Sequence, residues 1–165
     1  NIAVMSLIGR YVGASDMSQA NAVIVAGFKL ACSYAGTLGI VFVLFREPLL
    51  SVFARSDADF AETLSLGSFM MVGLACYVLA DATVLIAGGT LRGAGDTRWM
   101  MTVSISLHWA MVVAQYLIIM VYDLGPRVSW VAFVAMIITL AAAYLARLLS
   151  GVWREPERLA RVMAE

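Results

Sequence analysis

The stretch Trp99–Tyr122, WMMTVSISLHWAMVVAQYLIIMVY, contains no Asp, Glu, Lys or Arg. A helix rises about 1.5 Å per residue, so this segment is long enough to cross the roughly 30 Å hydrocarbon layer of a bilayer. It lacks the alternation of a strand and is about twice the length of a barrel strand. It reads as a spanning α-helix.

Outward from this segment the same pattern repeats. Upstream, Thr63–Leu91 is broken only by Asp81, and Ala20–Phe45 only by Lys29. Downstream, Val128–Ala146 is uncharged and is read as continuing past Arg147 to Trp153. The predicted helices therefore cover about residues 20–45, 63–91, 99–122 and 128–153, with 154–165 a cytoplasmic tail. Within that tail Leu159, Val162 and Met163 fall at helical spacing among Arg154, Arg158 and Arg161. This allows either a short interfacial helix or a solvated end. Asn1–Gly9 is apolar up to Arg10, without a charged leader or a clean cleavage site, and reads as the end of a fifth helix that starts earlier. The expected fold class is all-α, a polytopic membrane helix bundle.

Composition agrees. Hydrophobic residues make up 62% of the 165, charged residues 13%, and mean hydropathy is +0.90. A soluble domain is about one quarter charged, and a core of this size cannot bury so much apolar surface, so lipid is the expected partner. Net charge is zero, and nothing in the composition suggests a nucleic-acid partner. Cys32 and Cys76 lie inside apolar runs and read as packing residues, with neither a disulfide framework nor a zinc pattern.

Short connections make neighbouring helices antiparallel. One side then holds Arg10, Arg92, Arg98, Arg154, Arg158 and Arg161, and the other Arg46, Arg55 and Arg127. The positive-inside rule assigns the first side, with the C-terminus, to the cytoplasm, and the expected location is the inner (plasma) membrane. Trp99, Trp130 and Trp153 fall near run ends, where indole rings favour the headgroup level; Trp109 is the exception. Pro48 and Pro126 mark helix ends, and Asp123–Arg127 reads as a Gly-Pro turn.

Asp81 is the most informative single residue. It lies eleven residues before Arg92, or roughly 16 Å below that face and close to the midplane. A bare carboxylate there costs at least about 2.5 kcal/mol, which a proton, a cation, a cationic substrate or a polar cavity must offset. Tyr77, one turn earlier, can join the same site. The alternative is a protonated Asp bonding a neighbouring helix, and a role in an ion or substrate path is preferred. On the third helix Ser104, His108, Met111 and Gln115 line one face, either bordering a wet cavity or bonding another helix. His108 has no second His or paired Cys to build a metal site. Most of the glycines at 9, 13, 36, 39, 88, 89, 93 and 95 are expected at close helix contacts, and Gly93 and Gly95 are also expected to permit a sharp reversal between two helices. No nucleophile–base set supports an enzyme, and no cofactor is expected.

The segment Gly88-Gly-Thr-Leu-Arg-Gly-Ala-Gly-Asp-Thr-Arg98 lacks the Lys-Ser/Thr ending of a phosphate loop. Between two spanning helices it closely resembles the signature of the multidrug and toxic compound extrusion (MATE) transporters. The matching positions are Leu91, Arg92, Gly93, Gly95, Asp96 and Thr97. Leu7-Ile-Gly-Arg-Tyr-Val-Gly-Ala14 is similar to the ending of that family's eighth helix, with Arg10 in place of the usual Gln. The resemblance implies the end of helix 8 and helices 9 to 12 of a twelve-helix carrier, the N-terminal lobe and helix 7 lying outside this chain. It also implies export of small organic cations and amphipathic drugs in exchange for protons or sodium. Asp81 matches an acid that is a cation site in one branch of the family, with Tyr77 one turn earlier, so sodium at Asp81 is one expectation. Val84 stands where many of those members carry Gln. Two other readings fit the same helices. A lipid-linked oligosaccharide flippase of the related superfamily is expected to carry more Lys and Arg in its cavity. A non-transporting membrane scaffold would use Asp81 and the polar stripe as glue.

Overall fold

The computed structural model describes residues 1–52 and 60–154. The expected interfacial helix around Leu159, Val162 and Met163, and the loop charges Arg55, Asp57 and Asp59, lie outside the described residues. Those described form helices and turns with no strand among them: α1 (Ile2–Gly13), α2 (Met17–Leu44), the short α3 (Arg46–Ser51), α4 (Phe60–Gly93), α5 (Thr97–Tyr116) and α6 (Gly125–Ser150). Four of them, α2, α4, α5 with its extension to Val121, and α6, are long and apolar enough to cross a membrane.

α4 is the centre of the bundle. It packs most extensively on α2, then on α6 and α1, while α5 lies outside and leans mainly on α6. None of α5's most apolar window is buried within the bundle, so its side chains need an apolar surrounding outside these residues. The tight core gathers at one end, where Ile8, Ile24, Leu91, Met100, Tyr144, Leu148 and Trp153 meet. Small residues let α1 and α4 approach there. A Cβ on Gly93 would stand 2.5 Å from the Met5 carbonyl oxygen, and one on Gly89 2.6 Å from Asn1 Oδ1. Gly13 and Gly36, in contrast, have no such neighbour within 4 Å, so the expected packing role does not extend to them.

Helix ends differ from the sequence reading in physically simple ways. α5 changes to a π turn over Leu117–Val121, closed by Tyr122 N–H donating to the Leu117 carbonyl (2.9 Å). Gly125 and Pro126 begin α6 instead of forming a separate turn, because proline's missing donor is harmless in the first helical turn. α6 stops at Ser150, short of the expected Trp153. Gly151 adopts a left-handed conformation (φ 71°) there, and Val152–Arg154 folds back as a 3₁₀ turn. Trp153 is fully buried, its indole N–H donating to the Leu148 carbonyl (2.9 Å), so it is a core residue and not a headgroup anchor. Trp109 is 65% exposed on α5.

Candidate functional site

α1, α2 and α4 enclose a groove of about 650 Å³. Asp81 opens into it from α4, among Val78, Ala82 and Leu85, and faces Leu30, Tyr34 and Leu38 of α2, with Asn1 and Val4 at the α1 end. The walls are apolar apart from Asp81, Tyr34 and Asn1, and carry no Lys or Arg. Asp81 makes no side-chain hydrogen bond or ion pair with another described residue, although it is partly buried in a helix pair. A carboxylate in that position keeps its lone pairs for a proton or a cation.

Tyr77 is held differently. Its ring stacks on Phe133 of α6 (centroids 5.6 Å apart), and Phe133 stacks in turn on Trp130 (5.6 Å). It lies in the α4–α6 seam and does not line the groove of Asp81. Besides Asn1, the other polar residue lining the groove of Asp81 is Tyr34, which the sequence did not single out because a lone Tyr in an apolar run carries no distinguishing signal.

The stripe on α5 divides in two. His108 Nδ1 lies 2.7 Å from the carbonyl oxygen of Ser104 in its own helix, and the ring is exposed on the outer face. Gln115 instead ties α5 to α6: its amide donates to the Ser129 carbonyl (2.9 Å), and the Ser129 hydroxyl donates back to Gln115 Oε1. Ser104, His108 and Gln115 do not join Asp81, which faces α2 on the other side of α4.

The motif segment forms the turn between α4 and α5. Asp96 N–H donates to the Leu91 carbonyl (2.8 Å) and Gly95 N–H to that of Arg92 (3.0 Å), the paired bonds of a Schellman cap. Gly95 supplies the left-handed residue such a cap requires (φ 77°). Leu91 and Asp96 are fully buried, Gly93 is pressed against α1, and Arg92, Thr97 and Arg98 are exposed. Arg147 of α6 donates through Nε to Asp96 Oδ2 (2.8 Å), and its guanidinium lies 5.1 Å from the Trp99 ring. Tyr144 adds a hydrogen bond to the Met100 carbonyl (3.4 Å). The sequence reading missed the pairing of Asp96 with Arg147. The available signal was that Arg147 is a charge that an otherwise apolar helix has to accommodate.

The MatE family model matches residues 1–117. The chain is similar to the "Probable multidrug resistance protein NorM" of Thermotoga maritima, 32% identical over 163 residues, which are 98% of this chain and 34% of that protein. It is also similar to "Multidrug resistance protein MdtK" of Yersinia pseudotuberculosis, 23% identical over 168 residues, 99% of this chain and 35% of that protein. No solved structure matches the chain significantly. The chain thus spans about a third of the length of the curated relatives it matches. With the family model covering most of its residues and four helices fit to span a bilayer, the chain is multi-pass membrane protein and belongs to the MatE family.

Proposed function

We propose that these residues form part of the wall of a secondary transporter that expels cationic or amphipathic drugs in exchange for protons or sodium ions. The observation that carries this reading is Asp81, a carboxylate within a helix long and apolar enough to cross a membrane, which opens into an apolar groove and has no hydrogen-bond partner among the described residues. A proton needs the carboxylate alone. A sodium ion needs further oxygens, and the neutral ones in the groove are those of Tyr34 and Asn1. Either occupant competes with an organic cation for the same negative charge, and that competition links inward ion flow to outward drug flow.

The scaffold reading is disfavoured because interhelical bonding of the kind it requires occurs at Gln115 and Ser129 and is not made by Asp81. The flippase reading is disfavoured by a groove without Lys or Arg to receive phosphates. By the arginine asymmetry, the end of the bundle with the α1–α2 and α4–α5 turns is assigned to the cytoplasmic face of the inner membrane. Asp81→Asn keeps the size and hydrogen-bonding capacity of the side chain while removing its charge. The full-length transporter with Asp81→Asn is expected to insert normally and lose ion-driven efflux of cationic dyes. Normal efflux at matched expression across a range of pH would remove Asp81 from the mechanism.

A further inference from the structure

A second groove, of about 580 Å³, runs between α2 and α6 over α4. Its walls are chiefly Ile24, Val25, Phe28 and Cys32 of α2 with Leu145 and Leu149 of α6, and its mouth is formed by Asn21 and Arg154. From Asn21 to Cys32 is eleven helical residues, or about 16 Å, against about 15 Å for one leaflet of the hydrocarbon core. The slot therefore has the depth of a single lipid chain.

The cation at its mouth is held in place by the fold. The left-handed Gly151 ends α6, and the 3₁₀ turn that follows, with Arg154 N–H donating to the Gly151 carbonyl (2.8 Å), brings Arg154 back toward α2. There Arg154 Nη2 donates to Asn21 Oδ1 (2.8 Å), and the guanidinium lies 4.6 Å from the ring of the fully buried Trp153. A guanidinium has five N–H donors, so the Asn21 bond uses only part of its capacity. An apolar slot one leaflet deep with a fixed positive charge at the headgroup end complements an amphiphile with an acyl chain and an anionic head. The same charge repels the organic cations proposed as substrates.

We propose that this groove binds an anionic phospholipid of the leaflet on the side of the two turns, one acyl chain lying along Val25 and Phe28 and the phosphate against Arg154. The test uses the full-length transporter in detergent, titrated with phosphatidylglycerol or phosphatidylcholine, with bound lipids counted by native mass spectrometry. The expected result is preferential retention of phosphatidylglycerol, weakened about fivefold by Arg154→Gln, kept by Arg154→Lys, and lost in Val25→Trp, where the indole fills the slot. Cys32, exposed in the groove wall, should react with a lipid-soluble maleimide in lipid-free protein and be protected by phosphatidylglycerol more than by phosphatidylcholine. Retention unaffected by both Arg154→Gln and Val25→Trp overturns the proposal. So does a Cys32 that is unreactive without lipid, since another protein segment then covers the groove.

Discussion

Two turns in this chain share one build and differ in what surrounds them. Gly13-Ala-Ser-Asp16 joins α1 to α2, and Gly93-Ala-Gly-Asp96 joins α4 to α5. In the first, Asp16 N–H donates to the Tyr11 carbonyl (2.9 Å) and Ser15 N–H to that of Val12 (3.0 Å), the same cap as at Leu91 and Arg92. The residue before the acid is left-handed in both, Ser15 at φ 58° and Gly95 at φ 77°. The acids then part company. Asp16 is exposed and accepts from Gln19 N–H (3.1 Å), capping α2 in the ordinary way. Asp96 is fully buried, makes no side-chain cap bond to α5, and is engaged by Arg147 from α6. A local sequence can thus specify a turn completely while leaving open whether the turn serves only its own helix or locks a third one.

The comparison can be broken at several strengths, each read by thermal unfolding of the full-length transporter in detergent. The largest effect is expected from Arg147→Met, which takes the guanidinium away from a fully buried carboxylate and should cost about 3 kcal/mol. If it costs no more than Asp16→Asn does, the two turns are energetically alike. Next come the glycines that open each turn. Gly93→Ala forces a methyl toward the Met5 carbonyl and should cost about 2 kcal/mol, whereas Gly13→Ala meets nothing within 4 Å and should be neutral or gain up to about 1 kcal/mol. Equal losses at both positions would mean that the α1–α4 contact at Gly93 is not the tight one.

A swap of the left-handed residues sharpens the comparison further. Gly95→Ala should lose about 1.5 kcal/mol, and Ser15→Gly should gain a smaller amount, because only glycine occupies that conformation without cost. A gain from Gly95→Ala would contradict the left-handed assignment. The smallest loss is expected at Asp16→Ala, about 1 kcal/mol from the missing cap, with Asp16→Ser recovering most of it. An Asp16→Ser variant no better than Asp16→Ala would show that charge, and not the cap bond, is what the position supplies.

Several of the features above were legible in the residues because they follow from local rules. The uncharged Trp99–Tyr122 indicates a spanning helix by length and polarity alone, and Gly95 before Asp96 indicates a reversal. Asp81 stood out as an intramembrane acid. The other polar residues of its groove did not, since the sequence drew attention to Tyr77 by its four-residue spacing, while Tyr34 of α2 and Asn1 line the groove and Tyr77 stacks on Phe133 of α6. Helical spacing limits which residues share a face but does not say which neighbouring helix that face meets. For the same reason Ser104, His108 and Gln115 read as one polar stripe, yet only Gln115 reaches a partner on α6, and His108 bonds its own backbone.

The sequence by itself determined that the chain is a set of membrane-spanning helices, where most of their reversals fall, and that one acid interrupts an apolar run of spanning length. Each of these depends on transfer of a short segment between water and lipid, or on backbone dihedrals within a few residues. Only the tertiary structure decided that Asp96 belongs to Arg147, that Trp153 is core, and that Arg154 stands over a groove one leaflet deep. Those pairings depend on how far each helix is rotated about its axis against the next. In a chain whose apolar residues surround most of each helix, hydrophobicity does not single out that rotation, and close packing at Gly89 and Gly93 together with a few interhelical polar bonds selects it.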